Sequence, residues 1–214
     1  AESKRLLAKA VVSLPEVQYA YKEGNLLVAT CSTGAFVLEE LTGEKVAPHL
    51  RADAVLTSNT SGLSVNEIAA ALPESLRPRF LVTHFFNPPR YMRLVEVVPS
   101  RFTDPVVAAS MAAFIGQRLG KGVVHAKDTP NFVANRIGVF SMANAIHHTL
   151  ALGMTVEEVD AVAGPATARA RSACFRTADL VGIDTLLHVA KNSYDTLPDD
   201  EKRDTFQMPD VMVQ

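Results

Sequence analysis

The sequence has few of the features that mark several large classes of protein. It contains no tryptophan and only two cysteines, Cys31 and Cys174, among its 214 residues. Two thiols so far apart make neither a disulfide framework nor a cysteine-based zinc site, and we expect no bound metal. No apolar run approaches the roughly 20 residues that a membrane-spanning helix needs, and the N-terminus has no signal-peptide core. These absences favour a cytoplasmic protein without a membrane partner.

An excess of either charge is also lacking. The chain carries 21 basic and 23 acidic residues, for a formal net charge of −2. Nucleic-acid-binding modules usually have a basic excess, so we expect no nucleic-acid partner. The hydrophobic fraction of 48% is ordinary for a globular protein, and the length suits one large domain or two small ones.

The first part of the chain alternates short apolar runs with amphipathic stretches. The apolar runs predict β-strands at residues 26–30, 54–57, 80–83, 94–98 and 123–126. Helical spacing predicts helices at about 33–42, 64–72 and 105–118. In the third helix one side is formed by Val106, Ala109, Ala113 and Ile115. Strands that are continuously apolar are typical of a sheet covered on both faces, so the sequence predicts an α/β layer with a largely parallel sheet.

The pattern becomes entirely helical near residue 127. Thr129 or Asp128 suits an N-cap and Pro130 the first helical position, which predicts a long helix ending near Gly153. Its apolar face is predicted to comprise Val133, Ile137, Phe140, Ala143, Ile146 and Leu150. A capping-box pattern and a further periodic stretch predict helices after Thr155 and over about 176–196. We therefore expect an α/β domain over 1–127 and an all-α domain over 128–214.

A run of small polar residues, 57–62, directly follows the predicted strand at 54–57. It reads Thr-Ser-Asn-Thr-Ser-Gly and includes Asn59 and Ser61. Ligands of open α/β sheets bind beyond the carboxyl ends of strands, so this loop could contribute to a site. An ordinary strand-to-helix turn with an N-cap would produce the same pattern and is the commoner explanation of it.

A histidine and a glutamate lie on successive predicted strands. His84 ends one strand, and Glu96 lies inside the next, where a carboxylate is costly without a partner. A carboxylate that accepts from one imidazole nitrogen fixes the ring tautomer and stabilises the imidazolium, so that the other nitrogen can take a proton. The alternatives are a core histidine with its hydrogen bonds satisfied and a glutamate on a solvent-facing edge.

A third polar cluster covers residues 128–136. Asn135 is expected in the second turn of the long helix, on the side that faces the sheet. Its amide could donate to a carbonyl or accept from a hydroxyl, although an asparagine in a helix also commonly faces solvent.

Together these clusters resemble the 3-hydroxyacyl-CoA dehydrogenase family. The stretches 58–61 (Ser-Asn-Thr-Ser), 84–88 (His-Phe-Phe-Asn-Pro), 94–97 (Leu-Val-Glu-Val) and 128–136 occur there in this order. A later segment, 178–185, is similar to the family's second helical motif. The sequence of residues 85–93, Phe-Phe-Asn-Pro-Pro-Arg-Tyr-Met-Arg, most resembles that of the long bacterial form that can carry a fused enoyl-CoA hydratase.

The resemblance implies a role for each matching residue. His84 would remove the 3-hydroxyl proton as hydride leaves C3 for NAD, and Glu96 would stabilise the charged imidazole. Ser61 and Asn135 would hydrogen-bond the substrate near its 3-oxygen and thioester. Asn87, together with Ser61 and Asn59, would contact the nicotinamide end of NAD. The implied reaction is oxidation of (3S)-3-hydroxyacyl-CoA in fatty-acid β-oxidation, and the helical domain would support a homodimer.

The family's Gly-x-Gly-x-x-Gly turn is missing from this sequence. The glycines before the first motif are Gly24, Gly34 and Gly43, and their spacing does not form the fingerprint. The resemblance therefore predicts an incomplete Rossmann-like domain. It leaves three hypotheses: a dehydrogenase, a non-catalytic acyl-CoA-binding or oligomerisation remnant, and a protein that holds another anionic ligand with the 30–34 loop.

Overall fold

The computed structural model describes residues 53–212. The expected strand at 26–30, helix at 33–42 and anion-binding loop at 30–34 lie outside these residues. The chain forms two compact units that divide between Asp128 and Thr129. In chain order the strands and helices of the described residues are β1 Leu56–Ser58, α1 Val65–Ala71, β2 Phe80–Phe85, β3 Leu94–Pro99, α2 Pro105–Arg118, β4 Gly122–His125, α3 Ala134–Leu152, α4 Val156–Val162, α5 Phe175–Val181 and α6 Ile183–Thr196.

The first unit contains the expected α/β sheet. Its described strands are ordered β1-β2-β3-β4. β1 pairs with β2 and β3 with β4 in parallel, while β3 is antiparallel to β2. Parallel pairing thus holds in two of the three described pairings, and the antiparallel pair places His84 opposite Glu96.

The central strands are buried on both faces, as their continuous apolar character predicts. On one face Leu81, Val95 and Val97 pack with Ile115 of α2 in one hydrophobic cluster. The expected face of α2 was wrong except for Ile115. Val106 is 70% exposed, and the residues that pack on the sheet are instead Val107, Met111, Ala112 and Ile115. Val107, Met111 and Ile115 lie four positions apart and Ala112 lies three before Ile115, so these residues form a stripe on one helix face.

The second unit contains α3–α6, and no strand occurs between residues 129 and 212. The long helix begins at Ala134, four residues later than Pro130, because Asn131 and Phe132 have left-handed φ values of 61° and 49°. Both residues are buried, and Asn131 donates from Nδ2 to Ser193 Oγ on α6 at 2.7 Å. This tertiary contact outweighs the helical preference of the local sequence.

The expected apolar face of α3 is only partly correct. Ala143 and Ile146 are buried, but Ile137 and Leu150 are 63% and 51% exposed. The hydrophobic cluster of this unit consists of Val139, Ile146, Ala178, Leu186, Ala190 and Phe206. The helix ends as expected at Gly153, whose φ of 63° is left-handed.

The region predicted as one helix over 176–196 is two helices, α5 and α6. They are separated at Gly182, which has a φ of 96°. A Cβ on Gly182 would lie 2.8 Å from Asp184 Oδ1, so a side chain there is both strained and crowded. The capping box of Thr155 and Glu158 is present as expected.

Asp160 of α4 caps the start of α5. Its carboxylate accepts from the backbone N–H groups of Cys174, Phe175 and Arg176 at 3.0, 2.7 and 3.1 Å. Burial opposes ionisation of this carboxyl, but the three backbone hydrogen bonds outweigh it and lower the pKa of Asp160. Asp160 thereby connects two helices that are short on their own.

We expect Asp160→Asn to lower the free energy of unfolding by about 1–2 kcal/mol at pH 7, because hydrogen bonds to a charged acceptor are lost. A group whose pKa is lowered by folding stabilises the protein above its unfolded pKa of about 3.9, and this stabilisation disappears as the pH falls through the folded value. Urea unfolding at pH 7 and at about pH 3 should therefore show a difference between variant and wild type that shrinks in acid.

Asp179→Asn is the matched control, since Asp179 is exposed on α5 and forms no hydrogen bond with residues 53–212. A loss of stability by Asp160→Asn that is equal at both pH values would contradict the assignment.

Candidate active site

The centre of the site is a hydrogen bond between two buried side chains. His84 is the penultimate residue of β2, and Glu96 is its register partner on β3. His84 Nδ1 lies 2.6 Å from Glu96 Oε2, and the two residues are 5% and 0% exposed. A carboxylate held away from water is stable only with polar partners, so Nδ1 carries the proton that is donated to Glu96. The expected hydrogen bond between the two side chains is therefore present, and its role in catalysis stays a prediction.

The surroundings of the pair fix the orientation of the imidazole. The ring of Phe86 lies 4.5 Å from that of His84, at an interplanar angle of 60°. Alternation along β3 places Val95 and Val97 on the face packed against α2, so Glu96 and His84 lie on the opposite face of the sheet. The ring is thus held by its carboxylate partner and by an aromatic neighbour.

The loop of residues 58–64 follows β1 and is tied to the end of β2. Asn59 Oδ1 accepts from the backbone N–H of Phe85, next to His84, at 2.8 Å. Within the loop, Thr60 N–H donates to Ser58 Oγ at 3.2 Å and Leu63 N–H donates to Thr60 Oγ1 at 3.3 Å. The structure therefore brings the Asn59 side chain to the strand that carries His84.

Ser61 and Asn87 lie on exposed loops of the first unit. Ser61 is in the 58–64 loop, and Asn87 follows β2 and precedes Pro88 through a cis peptide bond. Neither side chain forms a hydrogen bond with the described residues 53–212. Both offer neutral polar groups beside the strand ends that carry the His84–Glu96 pair.

Asp128 holds the start of α1, a role that the sequence did not predict. Its carboxylate accepts from the backbone N–H groups of Val65 and Asn66, both at 2.8 Å. It also accepts from Ser64 Oγ at 2.9 Å and from Asn66 Nδ2 at 2.6 Å. Asn66 Oδ1 in turn accepts from the N–H of Arg101 at 2.7 Å. Asp128 therefore caps the helix that follows the 58–64 loop, and does not cap α3.

Asn135 belongs to the second unit. It lies in the first turn of α3, one turn earlier than expected, and is half-buried. Its neighbour Arg136 forms an ion pair with Asp200. Asp200 accepts from the backbone N–H of Lys202, and this bond and the contact with Arg136 lower the pKa of Asp200. Asn135 thus belongs to the second unit, whereas the other five polar residues of the expected site belong to the first.

The neutral groups of the first unit fit the uncharged end of a nicotinamide cofactor. A carboxamide and a ribose require neutral donors and acceptors, which the exposed side chains of Ser61 and Asn87 can supply. The amide of Asn59 uses Oδ1 for Phe85 and keeps two N–H donors. Within residues 53–212 no group of three His, Cys, Asp or Glu residues has the arrangement of a metal site. No helix in the same range is long and apolar enough to cross a membrane.

Comparison with protein families identifies the class. The NAD-binding domain of 3-hydroxyacyl-CoA dehydrogenase matches residues 39–129, and the C-terminal domain of the same enzymes matches residues 132–214. The chain belongs to the 3-hydroxyacyl-CoA dehydrogenase family.

Individual relatives agree with this assignment. The chain is 47% identical over 167 residues to a probable 3-hydroxyacyl-CoA dehydrogenase of Bacillus subtilis, which covers 78% of this chain and 21% of that protein. It is 32% identical over 177 residues to a putative fatty acid oxidation complex trifunctional enzyme of Rickettsia prowazekii, covering 83% and 24%. The chain thus spans about a quarter or less of the length of these curated relatives.

A solved structure shares the fold. The crystal structure of FadB2 from M. tuberculosis superposes with a TM-score of 0.67 at 34% sequence identity. The match covers 84% of this chain and 59% of that chain. The α/β sheet followed by a helical unit is therefore the fold of this family.

We expect Asp128→Ala to lower the free energy of unfolding by about 2–3 kcal/mol, because it leaves several donors at the start of α1 without their charged acceptor. The loss should be local, so the amide protons of Val65 and Asn66 should exchange with solvent faster than in the wild type. Hydrogen exchange followed by NMR measures the exchange rates of these two amides, and the slowest-exchanging amides report the free energy of unfolding.

Asp199→Ala is a suitable control, because Asp199 is exposed and forms no hydrogen bond within the described range. Unchanged exchange at Val65 and Asn66 in Asp128→Ala would contradict the capping role.

Proposed function

We propose that this chain acts as an NAD-dependent 3-hydroxyacyl-CoA dehydrogenase, which oxidises (3S)-3-hydroxyacyl-CoA to 3-oxoacyl-CoA in fatty-acid β-oxidation. The observation that carries the proposal is the buried hydrogen bond of 2.6 Å between His84 and Glu96 at the end of β2. This arrangement provides an oriented base for removing a hydroxyl proton, and alcohol oxidation needs no covalent nucleophile.

His84 is the general base of the proposed reaction. Its Nδ1–H is donated to Glu96, so Nε2 is the nitrogen that takes the proton from the 3-hydroxyl group. The imidazolium that forms is stabilised by the Glu96 carboxylate across the same hydrogen bond. In the reverse direction the protonated His84 returns the proton to the 3-oxo oxygen.

Ser61 and Asn135 are the proposed substrate-binding residues. The hydroxyl of Ser61 and the amide of Asn135 would donate to the 3-oxygen, where negative charge develops as the proton leaves, and to the thioester carbonyl, which they would hold in place. The tether between Asn59 and Phe85 supports this role for Ser61, because it limits the motion of the loop relative to His84.

The proposed nicotinamide contacts are Asn87, Ser61 and Asn59. NAD supplies the hydride acceptor for C3 when it is bound. The side chains of this group hold and orient the uncharged end of the cofactor through neutral hydrogen bonds, for which their amide and hydroxyl groups are suited.

The two units would have different roles in the proposed enzyme. The first unit, which ends at Asp128, would supply the NAD-binding domain, and the second, which begins at Thr129, would supply the helical C-terminal domain. The substrate is an acyl-CoA, and a homodimer would assemble through the helical domain. We place this activity in the cytoplasm.

The function is tested by following NADH absorbance with acetoacetyl-CoA. We expect the wild type to oxidise NADH and His84→Ala to lose about 10²–10⁴-fold in kcat, the usual contribution of a general acid–base group. Glu96→Gln keeps a hydrogen-bond acceptor but removes the charge, and we expect it to lower kcat by about 10–10³-fold with little change in stability.

Glu74→Gln is the matched control, because Glu74 is exposed in the turn before β2. If Glu96→Gln behaved like Glu74→Gln, the assignment of the pair would be wrong. An absence of NADH oxidation at high enzyme and cofactor concentrations would contradict the proposed activity.

The alternative hypothesis, a non-catalytic acyl-CoA-binding or oligomerisation remnant, has less support, because residues 39–129 match the NAD-binding domain of the family. Calorimetry separates the two candidates. Binding of acyl-CoA without any binding of NAD would favour the remnant, whereas binding of both would favour the enzyme.

A further inference from the structure

A basic loop lies next to the His84–Glu96 pair and has no role in the chemistry described above. Residues 86–93 connect β2 to β3, and they begin two residues after His84. Because the two strands are antiparallel neighbours, this 86–93 loop stands at the edge of the sheet directly beyond the pair. It therefore forms part of the rim of the proposed active site.

The charge of the loop is entirely positive. Arg90 and Arg93 are exposed, and no acidic residue occurs between Phe85 and Val95. Within residues 53–212 neither guanidinium forms an ion pair or a side-chain hydrogen bond, and Arg90 lies 5.9 Å from the centre of the Tyr91 ring. Both guanidinium groups thus keep their hydrogen-bond donors available to a ligand, as far as the described residues are concerned.

The backbone of the loop is held in place by contacts outside it. Lys121 donates from Nζ to the carbonyl oxygens of Pro89 and Met92, the latter at 2.7 Å. The N–H of Gly122, at the start of β4, donates to the carbonyl oxygen of Arg93 at 2.8 Å. The loop backbone is therefore ordered before any ligand binds, and this lowers the entropic cost of binding a ligand through its side chains.

We propose that the 86–93 loop binds the phosphate groups at the nucleotide end of the acyl-CoA substrate through Arg90 and Arg93. Planar guanidinium groups donate two parallel hydrogen bonds to phosphate oxygens, and an exposed pair of them suits a polyphosphate better than a neutral chain. The inference rests on the proposed function, because it assigns the reacting end of the same substrate to His84.

The test compares two thioesters, one that carries the phosphorylated nucleotide of CoA and one that lacks it. The double variant Arg90→Gln/Arg93→Gln should raise KM for acetoacetyl-CoA by about 10–100-fold, the factor expected for losing one or two charge-assisted hydrogen bonds. Its kcat should be unchanged, and so should its kcat/KM for acetoacetyl-pantetheine, which lacks the nucleotide. The KM for NADH, the cofactor consumed in this assay, should not change.

Lys127→Gln is the control for charge alone. Lys127 is exposed and lies past His125, at the other end of β4 from Gly122. We expect this variant to behave like the wild type with both thioesters.

Three results would overturn the inference. An equal loss of kcat/KM with both thioesters would mean that the arginines act at the reacting end or stabilise the fold. A rise in KM for NADH alone would assign them to the cofactor. If Lys127→Gln raised the KM for acetoacetyl-CoA by the same factor, the effect would be due to the net charge of the protein and not to the loop.

Failure of the proposed function can be told apart from failure of this inference, because in the first case the wild type would turn over neither thioester. Calorimetry with CoA and with pantetheine would still decide the inference. Weaker binding of CoA, but not of pantetheine, by the double variant supports it, and equal affinity of variant and wild type for CoA contradicts it.

Discussion

The hydrogen bond between His84 and Glu96 is the interaction on which the rest of the site depends. A carboxylate with no exposed surface costs free energy unless polar partners compensate for its lost hydration. The imidazole provides such a partner, and in return it is oriented by a charge that solvent cannot screen. One contact therefore stabilises an otherwise unfavourable buried group and prepares the ring to exchange a proton.

The sheet topology makes this contact possible. If β2 and β3 were parallel, a long crossover connection would have to join them, and the register partner of His84 would be much farther along the chain. Here β3 returns directly beside β2 in the antiparallel direction, so two residues only 12 positions apart become register partners. The same return creates the 86–93 loop at the edge of the sheet, beside the residues that carry the chemistry.

Local signals in the sequence were sufficient for the strands, whereas the His84–Glu96 pair was one of several alternatives until the family resemblance was taken into account. Continuous apolar runs marked β1 to β4, and a glutamate inside such a run required a partner on a neighbouring strand. The role of Asp128 was not predictable in this way, because its donors are 62–64 residues away. The start of α3 was misplaced for a similar reason, since Asn131 is committed to Ser193 by tertiary burial.

The tautomer of His84 tests the central claim most directly. Two-bond ¹H–¹⁵N correlation spectra of the protein at neutral pH distinguish the two ring nitrogens. The account predicts a proton on Nδ1 that is protected from exchange and whose signal shifts on Glu96→Gln substitution. An unprotonated Nδ1, with the proton on Nε2 alone, would contradict it.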